Sequence, residues 1–312
     1  MRLYRHANDL PPAAKGAVAC LGNFDGVHLG HRAVIGEGAR IARATGRNLA
    51  VVTFEPHTRE FFEPDAAPFR LTPLRAKLHA LDALGVDLVV ALAFNRSLSQ
   101  LSAEAFGTEV LARDMAISHA VAGSNFRYGH RHAGSMEMLA EAGACLGFGV
   151  TAVPEVRDAE GTIYSATRIR QLVAAGDLRA AAALLGRPWE VDGHVIGGDR
   201  RGRLLGFPTA NMHLGDYLRP AFGIYAVRAR LDRPGAPWID GVANLGIRPM
   251  WRTAEPMVET HLFDFSDDIY GEVLRVRLIE RLRGEAHFDS IDALVEQVDR
   301  DKLAAKQVLA SN

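Results

Sequence analysis

Through the first half of the chain, short apolar runs alternate with stretches of helical periodicity. Ala17–Phe24, Leu49–Phe54, Asp87–Phe94, His119–Gly123 and Gly149–Val153 are brief β-rich runs bounded by turn residues, and they predict buried strands. Between them, Gly30–Thr45, Thr72–Leu84, Ser102–Met115 and Ser135–Leu146 repeat apolar residues at spacings of three and four, which predicts helices. Alternation of this kind is the βαβ signature, so the first half is expected to be an α/β, doubly wound parallel sheet with helices on both faces. Ligands of such sheets bind beyond the carboxyl ends of the strands, where the strand order reverses.

The pattern then changes. Two short helices, Ala166–Ala175 and Asp177–Leu185, are separated by Gly176 and stopped by Gly186-Arg187-Pro188, which predicts a boundary there and domains over 1–186 and 187–312. Beyond it, Glu190–Ile196, Gly223–Leu231, Trp238–Leu245, Met257–Phe265 and Glu272–Leu282 read as strands, and turn groups such as Asp232-Arg233-Pro234-Gly235 separate some of them. Several short strands in so few residues predict a small antiparallel β-barrel or sandwich. The last segment, Ser290–Leu309, brings Ile291, Leu294, Val295, Val298 and Leu303 near one helical face and predicts a terminal helix packed on that barrel.

Composition narrows the function classes. The 312 residues are 48% hydrophobic and 23% charged, which fits a globular chain with real cores and not a disordered one. Lys and Arg number 36 against 37 Asp and Glu, so no global field attracts a polyanion and general nucleic-acid binding is disfavoured. Arginine is the usual cation, because only Lys15, Lys77, Lys302 and Lys306 are lysine. The two cysteines, Cys20 and Cys145, make no CxxC pair, so neither a disulfide framework nor a zinc site is expected and a reducing, cytoplasmic compartment fits. The N-terminus lacks an apolar signal region, and no apolar run reaches the length of a membrane span.

The densest chemistry follows the first strand, in Gly22-Asn23-Phe24-Asp25-Gly26-Val27-His28-Leu29-Gly30-His31-Arg32. A strand-to-helix turn offers free backbone N–H groups and a partial positive charge, which suit phosphate, and glycines let a ligand approach the chain. His28 and His31, three apart at that helix start, can donate to phosphate oxygens as charge builds on them. An ordinary glycine-rich turn with two solvated histidines is the plainer account of the same residues. A zinc site is weaker, because no third ligand accompanies the pair.

GNFDGVHLGHR resembles the HxGH signature of nucleotidylyltransferases, and further motifs in order narrow the resemblance to the prokaryotic bifunctional riboflavin kinase/FAD synthetase family. They include Phe54-Glu55-Pro56-His57, Gly123-Ser124-Asn125-Phe126-Arg127-Tyr128-Gly129 and Ser165-Ala166-Thr167-Arg168-Ile169-Arg170 in the first half. The second half adds Gly206-Phe207-Pro208-Thr209-Ala210-Asn211, Ala243-Asn244-Leu245-Gly246-Ile247-Arg248-Pro249, Val258-Glu259-Thr260-His261-Leu262-Phe263-Asp264 and Leu282-Arg283-Gly284-Glu285. The resemblance implies a first domain that transfers AMP from ATP to FMN, releasing pyrophosphate and making FAD. His28 and His31 would contact the ATP phosphates, with Gly22, Asn23, Phe24, Asp25 and Gly30 shaping the nucleotide and metal environment. Asn125, Ser165 and Thr167 would position flavin or phosphate, and Arg168 would bind phosphate from the opposite side. Taken by type alone, Arg168 is a solvated helix arginine.

The resemblance likewise implies a second domain that phosphorylates riboflavin with ATP. No GxxxxGK[ST] loop is present, so its ATP site is not a Walker loop. Gly206, Pro208, Thr209 and Asn211 would bind nucleotide, Thr209 and Asn211 would present oxygens to Mg²⁺, and Glu259 would be the general base. Gly197–Gly202 could close over phosphates, though taken alone the run reads rather as a hairpin turn; for Glu259, alternation also allows a strand carboxylate facing solvent, and the family position favours the catalytic role. The chain departs from the family at Ala166, Thr58 and Met250-Trp251. His130 and His132, just past Gly129, are expected on the surface. A paralogue with one activity and a non-catalytic flavin- or nucleotide-binding regulator remain alternatives. The implied partners are small-molecule substrates, without nucleic acid or membrane, and self-association stays open.

Overall fold

The computed structural model describes residues 1–197, 207–247 and 255–311. Compactness divides the chain into two units, Met1–Ala67 with Lys77–Ser165, and Pro68–Ala76 with Ala166–Asn312.

The first unit is built on six parallel strands, β1 (Arg2–Tyr4), β2 (Val18–Leu21), β3 (Leu49–Glu55), β4 (Leu88–Ala93), β5 (His119–Gly123) and β6 (Gly149–Val153), in the order β1-β4-β3-β2-β5-β6. All four residues of β2 and the first five of β3 are buried, as strands covered on both faces must be. The chain runs outward from β2 through β3 to β4 and then crosses back to β5, so the order reverses between β2 and β5. That is the position where such sheets bind ligands. The five expected strands are present, and β1 is an addition: three residues at the sheet edge are too few to show a period.

Helix α1 (Leu29–Thr45) opens on His28 as N-cap and closes on Gly46 in the left-handed region. Helices α2 (Thr58–Phe62), α3 (Leu74–Asp82), α4 (Arg96–Ser99) and α5 (Ala103–Ala105) follow, and α5 runs on into a π-helical stretch over Phe106–Asp114. Helix α6 (Met136–Leu146) is capped by the Ser135 hydroxyl. Two apolar clusters fill the space on the sheet, one around Ala19, Val52, Val90 and Leu139, the other around Cys20, Ile35, Val51 and Val89. Burial pushes the Cys20 thiol up to about 12, whereas Cys145 on α6 is exposed.

The second unit holds α7 (Ala166–Ala175) and α8 (Leu178–Leu185), followed by β7 (Trp189–His194), β8 (Ala210–His213), β9 (Gly223–Leu231), β10 (Ile239–Ile247), β11 (Pro256–Leu262) and β12 (Val273–Arg283). The strands form an antiparallel sheet in the order β7-β12-β9-β10-β11-β8, and a bridge between Ile196 and Asn211 joins its two ends into a near-barrel. The terminal helix α9 (Ile291–Ala310) packs on its outer face through Ala305 and Leu309, against Ala226, Val242, Phe263 and Ile279. The helix is as expected but its buried face is not, since Ile291 and Leu303 are exposed and Asp301 is buried. The reason is a bidentate ion pair in which Arg283 Nη2 meets Asp301 Oδ2 at 2.6 Å and Nε donates to Oδ1 at 2.9 Å. A carboxylate held this way can occupy a core-facing position that an apolar count assigns elsewhere.

Candidate functional site

After β2 the chain enters a turn whose backbone is unusual. Phe24 and Val27 have φ of 48° and 43°, a region that side chains of this size rarely visit. Burial holds them there, because both side chains are 1% exposed and pack in the core cluster around Val18 and Ile35. Asp25, between them in sequence, and His28, directly after Val27, are buried as well.

His28 caps α1 through its side chain: Nδ1 accepts from the His31 amide at 3.4 Å, while the His28 carbonyl accepts from Arg32 N at 2.9 Å. An accepting Nδ1 places the proton of a neutral imidazole on Nε2, which makes that atom a donor. The His28 and His31 rings stack at 3.6 Å, and Phe24 meets His31 edge-on at 5.2 Å. Gly30 permits the arrangement, because a Cβ there would lie 3.1 Å from His28 Cε1 and 3.2 Å from Nδ1. The HxGH spacing therefore has a steric origin, with the glycine clearing room for the first histidine ring.

Beneath the turn lies Lys77, 1% exposed, which the sequence reading passed over. Its Nζ donates to the Asn23 carbonyl at 2.7 Å and to Thr53 Oγ1 at 3.2 Å, and Thr53 Oγ1 donates to the same carbonyl at 3.0 Å. A lysine sharing a helical face with Leu81 and Leu84 was the available signal. Lys77→Met removes both donations and is expected to destabilise the first unit by about 1–3 kcal/mol. Denaturant unfolding of the variant against the parent checks it.

Asn23 Nδ2 donates to Thr58 Oγ1 at 3.4 Å, so the threonine that departs from the family pattern anchors the turn. Asn23 Oδ1 is buried without a hydrogen-bond partner. Asn23 also lines a cavity of about 460 Å³ at the carboxyl end of the sheet, walled by Phe54, Phe62, Phe94, Phe126 and Tyr128. Phe94 meets Phe54 and Phe62 edge-on at 5.6 and 5.8 Å, and Phe126 stacks on Tyr128 at 5.8 Å. His130 and His132 both line this wall; His132 is exposed as expected, whereas His130 is half-buried with Nδ1 3.0 Å from the Ser99 carbonyl. Arg131 and His132, with φ of 54° and 58°, carry further backbone strain into the wall.

Asn125 lies on the loop after β5, exposed, with Nδ2 donating to Glu155 Oε1 at 3.1 Å, and it does not line the cavity. Ser165 precedes α7, and Thr167 and Arg168 occupy the first turn of that helix, which belongs to the second unit.

In the second unit, register assembles the polar row. Glu259 on β11 pairs with Asn211 on β8 and with Asn244 on β10, so the three side chains share one face of adjacent strands. Val242 and Phe263 lie on that same face, under α9, so the row sits on the outer barrel surface beside the helix. Asn211 is buried, and its Nδ2 donates to the Thr209 carbonyl at 3.3 Å. Asn244 joins the row from β10, a residue that its motif alone does not mark as part of a site. Another such residue is Glu285, whose carboxylate lies directly against Gly246, where any Cβ would collide with it. His261 Nδ1 lies 2.8 Å from the Pro208 carbonyl, and burial lowers the His261 pKa, opposed by that bond and aided by Lys302. Lys302 Nζ stands 5.6 Å over the Phe207 ring. Gly206, the run 198–202, Met250 and Trp251 lie outside the described residues.

Residues 10–167 match the family model for FAD synthetase, and residues 185–309 match that for riboflavin kinase. The bifunctional riboflavin kinase/FMN adenylyltransferase of Escherichia coli K12 is 38% identical over 98% of this chain and 97% of its own. The protein of the same description from Pseudomonas fluorescens is 39% identical over 99% and 98%. A crystal structure from Streptococcus pneumoniae described as a macrolide-efflux protein is similar with a TM-score of 0.82 and 30% identity, covering 96% of each chain.

Proposed function

This chain belongs to the bifunctional riboflavin kinase/FMN adenylyltransferase family, and we propose that the turn from Gly22 to His31 serves its adenylyl transfer and the Asn211–Glu259–Asn244 row its phosphoryl transfer. It is a transferase that phosphorylates riboflavin to FMN and adenylylates FMN to FAD, with ATP as donor in both steps. The carrying observation is the presence of both family matches in one chain, over 10–167 and 185–309. We take the functional division at Gly186, giving 1–186 and 187–312.

In adenylyl transfer an FMN phosphate oxygen attacks the α-phosphorus of ATP, and the bond to the β-phosphate oxygen breaks, with pyrophosphate taking the electron pair. Charge on the phosphate oxygens is what the protein must stabilise. His28 offers an Nε2–H donor whose direction the His31 stack restricts, and the N-terminus of α1 adds its partial positive charge. Asn23 Oδ1 is a buried acceptor suited to a substrate donor, and Asp25, two residues further along the turn, is buried as well. The aromatic cavity has the size and lining to take a planar flavin ring, with Phe62 at its exposed rim. Arg168 is proposed as a phosphate ligand, and Asn125, Ser165 and Thr167 as polar positioning groups.

In phosphoryl transfer the riboflavin 5′-hydroxyl oxygen attacks the γ-phosphorus, its proton passes to the Glu259 carboxylate, and ADP leaves. Asn211 and Asn244 flank that carboxylate in register and fix its place on the sheet. Mg²⁺ supplies charge neutralisation on the triphosphate when bound. Thr209 and Asn211 would hold it, with Gly206 and Pro208 in the nucleotide-binding segment. Two neutral side-chain oxygens, with no cluster of three acidic, His or Cys groups among the described residues, fit an ion bound largely through substrate phosphates and water.

Efflux is not carried over from the Streptococcus pneumoniae protein: no helix among the described residues is long and apolar enough to cross a membrane. This reading places the reactions in the cytoplasm. Incubating the purified chain with riboflavin, Mg²⁺ and ATP is expected to yield FMN and then FAD by chromatography. Formation of one product alone means a single-activity paralogue, and flavin binding without either product means a regulator.

A further inference from the structure

We infer that His261 is a positioning residue for riboflavin phosphorylation, clamping the Pro208 carbonyl so that Thr209 is held beside Asn211 and Glu259. The inference rests on the reading of those three residues as the phosphoryl-transfer site. Pairing between β8 and β11 runs from Met257–His213 through Val258–Met212 and Glu259–Asn211 to Thr260–Ala210, where it stops. Continuing that register by one step sets Thr209 opposite His261. The main-chain ladder cannot be extended through Pro208, which has no N–H to give. The His261 imidazole takes over at this point, with Nδ1 2.8 Å from the Pro208 oxygen.

The ring is suited to the task. His261 lies two residues past Glu259 on β11, so both side chains leave the same face of the strand. Phe263, two residues further and buried, meets the imidazole edge-on at 5.9 Å and limits its rotation. Thr209 is therefore restrained from two directions, by the clamp on the preceding carbonyl and by Asn211 Nδ2 on its own carbonyl at 3.3 Å. Loss of the clamp frees the segment at the residue before the proposed cation ligand. Displacing a positioning group by about 1 Å costs roughly 100-fold in rate.

The test uses the full-length chain, in which FAD formation from supplied FMN reports folding. Asn places its side-chain nitrogen one bond from Cγ, as Nδ1 is, whereas Gln places it one bond further out and Phe has no donor. His261→Phe is expected to lower kcat for FMN formation about 30–100-fold and to weaken Mg·ADP binding by calorimetry about tenfold. His261→Asn should keep both within about fivefold of the parent. If the Phe variant is unstable, the Asn and Gln pair carries the test: the inference requires Gln to be the more defective by about tenfold or more. A Phe variant as active as the parent, or an Asn variant as defective as Phe or Gln, overturns it. Should Glu259→Gln retain phosphorylation, the underlying site reading fails instead, and the two failures are told apart.

Discussion

Replacing Glu259 by Gln abolishes conversion of riboflavin to FMN while FAD still forms from supplied FMN. Glutamine has the shape of glutamate and can hold hydrogen bonds on the same face of β11, but it cannot accept the proton that the attacking hydroxyl must lose. General-base catalysis contributes about 10²–10⁴-fold, and that is the expected fall in kcat. Glutamine is isosteric with glutamate and fills the same half-buried position between Asn211 and Asn244 in the register. The melting transition should therefore stay close to the parent's. FAD formation should stay within about twofold, since the aromatic cavity and the histidine turn belong to the first unit. Phosphorylation within tenfold of the parent, with the parent's riboflavin KM, would remove Glu259 from the reaction.

Local pattern disclosed the sheets, through short apolar runs between helical stretches in the first unit and strand-like runs separated by turn groups in the second. Five parallel strands and the βαβ order follow from runs such as Leu49–Glu55, whose burial on both faces demands continuous apolar character. His28 and His31 were legible for a similar reason, since spacing and helix start lie in one short segment. Lys77 was not, because its burial is decided by the Asn23 carbonyl and Thr53 hydroxyl, which are remote in sequence. The cavity was missed because its walls come from separate elements. Phe54 lies in β3, Phe94 follows β4 and Phe126 follows β5, each near the carboxyl end of its strand. An aromatic repeated at that position was the signal, and it becomes visible only once the strands are aligned. The face of α9 misled in the opposite way: counting apolar residues favoured Ile291 and Leu303, whereas the Arg283–Asp301 pair turned a carboxylate inward.

His28→Asn eliminates FAD formation and leaves FMN formation intact, and it separates two duties that His28→Ala would confuse. The imidazole caps α1 through Nδ1, a structural duty, and presents Nε2–H toward substrate phosphate, the proposed chemical duty. Asparagine is among the best N-caps, so its side-chain oxygen can take over acceptance from the His31 amide. Alanine has no acceptor, and losing a cap costs about 1 kcal/mol. The Ala variant is thus expected to unfold at lower denaturant than the Asn variant. Both lack the ring that donates to a developing oxyanion, and removing one such donor costs about 10²–10³ in kcat. Equal loss of FAD formation in the two variants, with unequal stability, assigns the imidazole to the reaction. If the Asn variant instead makes FAD within tenfold of the parent, capping is the whole role of His28, and charge stabilisation must be sought in the α1 N-terminus and the cations around it.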